Sequence, residues 1–363
     1  MSRKRRPEQV PSSSALGRNR NFGGRSGSAY HIFVLPLPER SLISRLRQQQ
    51  ISGLLHPSRF SKPGRGGRVI TGIGDDCSVL RIPPGHETLV TTDFNLEGIH
   101  FRREWHPPES VGHRCLARGL SDIAAMGGEP IAAFLSLGLP AKLPQGWVDK
   151  FLRGLLKLAS EFSISLAGGD TSQSPNGILA DVVVVGSIPK GKAVLRSGAR
   201  PGDRIYVTGS LGGSAMALDV LYSGRRLKAG NYQSHFGPVP RVEAGQFVRS
   251  RGWASSMIDI SDGLSTDLSH LCEESGVGAE IESRAIPRAS VGSPARQVDL
   301  KFALHGGEDY ELLFTSSKAI PSPIAGVNVT EIGRITRGKP IVLIDDSGAK
   351  RRLRPDGWQH FRS

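Results

Sequence analysis

From about residue 37 onward, apolar positions recur in two rhythms, and the rhythm predicts elements of both kinds. Val69–Ile73 and Thr88–Thr92 read as strands, the second entered through the turn IPPGHE. Residues 110–127 and 145–162 place apolar side chains three and four apart and read as amphipathic helices. Ile131–Leu139 and Asp181–Ile188 are nearly continuous apolar runs, as in strands buried on both faces. A short helix over SLISRLRQQ and the loop HPSRFSKPGRGG come before them. After the charged, turn-rich PKGKAVLRSGARPGD the pattern resumes, with strands at 204–208, 255–260, 311–315 and 340–344 and helices at 212–222 and 263–275. The expectation is a mixed α/β chain of two α/β lobes, residues 37–192 and 193–363, behind a tail of residues 1–36.

Composition fits this. The chain has 363 residues, enough for two domains, and its 45 Gly and 24 Pro suit a turn-rich fold. No apolar run approaches the 18 or so residues of a membrane-spanning helix. Cys77, Cys115 and Cys272 are too few and too scattered for a disulfide framework or a four-cysteine zinc site, so a reducing, cytoplasmic setting is expected. Cys77 reads as a small apolar filler.

The net charge of +14 suggests nucleic acid until it is located. Residues 1–68 hold 14 Lys and Arg against Glu8 and Glu39, so nearly all of the excess is N-terminal. Residues 3–30, rich in Arg, Ser and Gly, bury too little to offset their ordering entropy and are expected to be disordered. They lack the apolar core of a secretory signal and have weak periodicity for a transit peptide. A solvated tail, or a start codon placed too early, is the simplest reading; RKRR at 3–6 is the one feature that suggests a nuclear address or an RNA contact.

The candidate chemistry lies in short acidic motifs: Gly74-Asp75-Asp76, Thr91-Thr92-Asp93, Ser121-Asp122, Gly168-Gly169-Asp170, Asp259-Ile260-Ser261-Asp262-Gly263 and Gly306-Gly307-Glu308-Asp309. Each alone could be a turn or a helix cap, as Ser121-Asp122 and Ser261-Asp262 would be at helix N-termini. Together, carboxylates at strand ends beside glycine turns would line a crevice and repel one another. Divalent cations compensate such a set, and hard oxygen donors without Cys or His favour Mg²⁺. GSIPKGKA at 186–193 imitates a phosphate-binding loop, but Ala193 stands where the metal-binding hydroxyl belongs and Pro189 removes an amide donor.

In order and spacing, GIGDDCSVL (72–80), TTDFNLEGIHF (91–101), LSDIAAMGGEP (120–130), GGD (168–170), RSGARPGD (196–203), IDISDGL (258–264) and GGEDYEL (306–312) resemble the thiamine-monophosphate kinases, over roughly residues 38–361. The resemblance implies the fold also seen in aminoimidazole ribonucleotide synthetase: an N-terminal α/β domain that dimerises and a C-terminal α/β domain. It implies transfer of the γ-phosphoryl of ATP to thiamine phosphate, the last step to thiamine diphosphate, with several Mg²⁺ ions and a homodimer. By matching positions, Asp76, Thr91, Thr92, Asp93, Asp122, Asp170, Asp259 and Asp262 would hold metal. Gly169, Asp170, Arg196 and Ser261 would meet ATP, and His100, Glu308 and Trp358 the thiamine substrate. No side chain is expected to act as a nucleophile or general base. Asp75 would orient its neighbour.

The chain departs from the family's pattern at Gly119, where an asparagine is commoner, at Asn95, and in the basic tail. Other relatives of the fold fit less well. A selenophosphate synthetase would carry a reactive cysteine near the N-terminus, and the hydrogenase-maturation relative a C-terminal cysteine where this sequence ends HFRS. EGIHF and GGEDYEL favour the thiamine enzyme over the purine-pathway synthetase. Nucleic acid remains a partner for the tail alone, and a membrane is not one.

Overall fold

A computed structural model of the chain describes residues 41, 45, 68–73, 75–358 and 361. The expected tail and most of the SLISRLRQQ helix lie outside them; Ser41 and Arg45 are helical. The described residues belong to one compact unit, Val34–Ser363, arranged about two sheets.

The first sheet has β3 (His86–Leu96), β4 (Glu129–Pro140), β5 (Ser165–Ser174) and β6 (Leu179–Pro189), in the order β3-β6-β4-β5. Only the β4–β5 pair is parallel. A small hairpin, β1 (Val69–Thr71) with β2 (Val79–Leu80), precedes it. Helices α1 (Pro108–Ala125) and α2 (Gln145–Glu161) join its strands. Pro108 starts α1 because its fixed φ suits a first helical turn, where its missing N–H would go unused. Val111, Cys115, Leu116, Leu120 and Ile123 of α1 are almost wholly buried, and each such side chain stabilises the packing by roughly 1.5–3 kcal/mol. Glycines let α1 and α2 touch backbone to backbone. A Cβ on Gly112 would lie 1.9 Å from the Phe151 carbonyl oxygen, and one on Gly154 equally close to that of Glu109.

The far face of this sheet is different. Val90 and Phe94 alternate along β3 onto it and stay 67% and 55% exposed. The imitation phosphate loop begins on β6, with Gly186 to Pro189 in strand, so no cradle of amides forms there.

The second sheet has seven strands, in the order β15-β14-β9-β13-β7-β12-β8. They are β7 (Arg204–Thr208), β8 (Ser256–Ile260), β9 (Gly278–Glu282), β12 (Glu311–Ser316), β13 (Val329–Thr336), β14 (Ile341–Ile344) and β15 (Lys350–Arg352); a separate two-stranded hairpin is β10 (Ser290–Val291) with β11 (Arg296–Gln297). Only β14 and β9 pair in parallel. Helices α3 (Gly213–Tyr222), α4 (Gln233–Phe236), α5 (Val242–Ser250), α6 (Leu264–Ser275) and α7 (Leu300–His305) accompany this sheet.

Helix α1 lies between the two halves. One apolar core joins its Leu116 and Leu120 to Met257, Leu312 and Phe314 of the second sheet. Helix α5 crosses α1 so closely that a Cβ on Gly245 would stand 2.1 Å from the Ala124 carbonyl oxygen. Among the described residues no helix is long and apolar enough to cross a membrane.

Candidate active site

Along α1, Arg114, Arg118 and Asp122 fall four residues apart and therefore on one face. Across from it, alternation along β3 turns Thr91 and Asp93 the same way. From the second half, β8 brings Asp259 and the loop after it Ser261 and Asp262, and the loop before β12 brings Gly307, Glu308 and Tyr310. Of these residues all but Arg114 and Thr91 line, together with His100, Ser214, Tyr222, His235 and Trp358, one cavity of about 360 Å³.

Its acidic end is a buried cluster of carboxyls only partly compensated by Arg118 and Arg196. Thr91 Oγ1 donates to Asp122 Oδ2, and Ser121 Oγ donates to Asp259 Oδ2 at 2.6 Å across the two halves. Burial, reinforced by the charge of Asp122, lifts Asp259 to about 7. Burial also raises Asp93 to about 6, with Arg118 pulling down and Asp122 pushing up. Asp122 is raised for the same first reason. Burial leads in all three, and the nearby arginines only partly offset it.

Asp267 organises the backbone beneath. Its Oδ2 accepts N–H groups from Ser261, Asp262 and Gly263 at 3.0–3.1 Å. Gly263, at φ +114, has the His305 carbonyl carbon 2.8 Å from where a Cβ would stand, so only glycine fits.

The opposite end is tied by arginines. Arg114, nearly buried, donates to Glu308 Oε2 at 2.6 Å and to the His100 carbonyl at 3.2 Å. Arg118 reaches Glu308 Oε1 at 3.4 Å and Asp93 Oδ1 at 3.6 Å. Burial opposes the charge on Glu308, but the two arginines outweigh it and hold its carboxyl at about 2. Behind Arg114, His106 Nε2 and His235 Nε2 stand 3.0 Å apart, and His235 Nδ1 is 2.9 Å from Ser214 Oγ. Burial and Arg114 depress both imidazoles, His106 to about 4 and His235 well below its usual range, so both are neutral at pH 7. His100 Nδ1 accepts the Leu96 N–H at 3.0 Å, which assigns its proton to Nε2.

The cavity thus gathers Asp93, His100, Asp122, Asp259, Ser261, Asp262, Glu308 and Trp358, with Thr91 bonded to its wall. Trp358, 53% exposed, stands beside the cavity, and its backbone N–H donates to the Asp262 carbonyl at 3.0 Å. Arg196 is outside the lining, though its charge acts on both Asp122 and Asp259. Asp76, Thr92, Gly169 and Asp170 are not brought into the cavity. Thr92 faces the other side of the sheet, where its hydroxyl donates to Asp181 Oδ1 at 2.7 Å. Asp76 is exposed beside β2, its N–H bonded to Asp75 Oδ1 at 2.9 Å. Asp170 is exposed on β5, near where Ser78 Oγ bonds the Ala167 carbonyl at 2.6 Å. Gly169 is required by packing, since a Cβ would lie 1.9 Å from the Leu135 carbonyl oxygen.

Three readings need correction. Asp93 and Asp170 sit inside their strands, not at the ends; pairing with β6 carries β3 on to Leu96. Ser121 and Asp122 lie towards the C-terminal end of α1, not at a helix N-terminus. Cys77 is exposed and fills no core. The sequence reading also missed Arg114, Arg118, Ser121 as a partner of Asp259, Asp267 and His235. The four-residue spacing from Asp122 back to Arg118 and Arg114 was the available signal for the arginines.

Comparison with known proteins agrees with this geometry. Residues 74–188 match the family profile described as AIR synthase related protein, N-terminal domain, and residues 200–320 its C-terminal domain. A thiamine-monophosphate kinase of Salmonella typhimurium is 39% identical over 292 residues, 77% of this chain and 85% of that protein. The crystal structure of a thiamine-monophosphate kinase from Stenotrophomonas maltophilia superposes with a TM-score of 0.69 at 30% identity, covering 85% of this chain and 96% of that one. A structure described as AaThiL complexed with AMPPCP and TMP also gives 0.69, at 33% identity, covering 77% and 89%.

Proposed function

The chain belongs to the thiamine-monophosphate kinase family, and we propose that its cavity is where ATP phosphorylates thiamine phosphate to thiamine diphosphate. One observation carries this: carboxylates from both halves, Asp93 and Asp122 with Asp259 and Asp262, meet in the cavity that also holds His100, Glu308 and Trp358.

The acceptor is a phosphate monoester, largely dianionic at pH 7, so it needs no strong base to become a nucleophile. Bringing it in line with the ATP phosphates is the difficulty, and the side chains are suited to position and neutralise. The donor set is hard oxygen, and its carboxyls are raised by burial and by one another's charge, an arrangement that suits Mg²⁺. Asp93, Asp122, Asp259 and Asp262 would hold it with Thr91; Asp76 and Asp170, outside the cavity, would join only as further ligands, and Thr92, facing the other side of the sheet, only through its backbone carbonyl. When bound, Mg²⁺ neutralises and aligns the phosphates. Arg196, Ser261 and Gly169 with Asp170 would receive ATP. His100, whose assigned tautomer is a donor at Nε2, Glu308 and the indole of Trp358 would receive the thiamine moiety, whose cationic ring can stack on an aromatic face.

The same reading places domains at 37–192 and 193–363 and the enzyme in the cytoplasm, in keeping with its free cysteines. It also pairs two copies through the apolar face bearing Val90 and Phe94, an area that a partner would remove from water. Purified protein given ATP, MgCl₂ and thiamine phosphate should form thiamine diphosphate, quantified by chromatography, and Asp93→Asn should abolish it. Absence of product from the wild type would refute the assignment.

A further inference from the structure

Among the described residues lining the cavity, Arg118 is the one lysine or arginine. It stands between the acidic end and the end that holds Glu308, and both hold it only at long range. Its contacts with Asp93 and Glu308, at 3.6 and 3.4 Å, exceed the 2.7–2.9 Å of an engaged charged hydrogen bond. Glu308 has a shorter partner in Arg114, at 2.6 Å, and Arg118 Nε is buried without a hydrogen bond. A forked donor held from two sides, by one long hydrogen bond to Glu308 and an ion pair with Asp93, with its Nε unbonded, is placed to take a third oxyanion.

We propose that Arg118 anchors the acceptor phosphate, its guanidinium gripping the phosphate monoester of thiamine phosphate between Asp93 and Glu308. The inference rests on the kinase reading above. In that reading the thiamine moiety lies towards Glu308 and His100 and the reaction centre at Asp93, Asp122 and Asp259. The phosphate joining them must cross the space that Arg118 occupies. ATP, received on the Arg196 side, need not. Glu308 then acts as the counter-ion that aims Arg118 as well as a wall of the substrate site.

The test compares binding and kinetics. By calorimetry in EDTA without ATP, wild-type protein should bind thiamine phosphate at least about tenfold more tightly than thiamine, because a cationic fork discriminates a dianion even among carboxylates. Arg118→Gln should lose that preference and raise KM for thiamine phosphate about 10- to 100-fold, with KM for ATP changed less than about twofold. Arg118→Lys, which keeps the charge and loses the fork, should fall between. Equal binding of thiamine and its phosphate by the wild type overturns the proposal even if the variants do not fold. So does an Arg118→Gln enzyme that weakens ATP alone. A wild type that shows the Arg118-dependent preference but makes no diphosphate supports the anchor and refutes the reaction.

Discussion

Replacing Arg114 by Met removes a buried cation and leaves Glu308 with the longer contact to Arg118. The size of the effect can be worked from the carboxyl itself. It is held at about 2 against an ordinary 4.5, and at 1.36 kcal/mol per unit the ion-pair environment stabilises the fold by roughly 3 kcal/mol. The folded value is depressed, so this stabilisation is complete above pH 4.5 and disappears as pH falls towards 2. At pH 7, Arg114→Met should therefore cost about 3 kcal/mol, in the range for breaking one side of a buried pair. Glu308→Gln should cost less, since the amide oxygen still accepts from Arg114. The double variant should be less destabilised than the sum of the two by about 2 kcal/mol, because the second change relieves the charge orphaned by the first. Urea denaturation of all four proteins at pH 7 measures this cycle. A coupling below about 0.5 kcal/mol would refute the reasoning, since it would place the pair among solvent-screened bridges.

Asp259→Asn should abolish turnover yet raise the melting temperature at pH 8 without divalent ions. The wild-type carboxyl at about 7 is stabilised by its proton, and that stability is lost as pH rises towards 7. Added MgCl₂ should then raise the wild-type melting temperature more than the variant's. His106, depressed from 6.5 to about 4, makes the fold lose roughly 3 kcal/mol as pH falls from 6.5 to 4, because the unfolded chain takes the proton first; His106→Asn should flatten this limb in acid titrations followed by circular dichroism. Gly154→Ala should cost at least about 1–3 kcal/mol by forcing α2 off the Glu109 carbonyl, with KM values of the folded enzyme unchanged.

Much of the fold was legible because its apolar runs are local signals. The expected strand at 181–188 is β6, the helix at 145–162 is α2, and the helix at 110–127 is α1, displaced by two residues at each end. β13 was not legible: Glu331 and Arg334 interrupt its alternation, and it is held by pairing with β7 and β9 far away in the chain. β15, wholly charged, is an edge strand that propensity does not favour. At the site, Asp93, Asp122, Asp259 and Asp262 could be read because aspartates in company with glycine, serine or threonine form short motifs. Arg114 could not, because a helical arginine reads as solvated until its partner, 194 positions away, is known.

Helix α1 carries ligands for both ends of the cavity and contacts both halves of the protein. Through Ser121 and Arg114 it bonds side chains of the second half directly. A substrate bound in that cavity, as proposed, would hold the halves in register, and either half unfolding would dismantle the binding site of the other. Ligand free energy is thereby shared across the whole body. Thermal unfolding with nucleotide and thiamine phosphate bound should proceed as one cooperative transition whose midpoint climbs with ligand concentration.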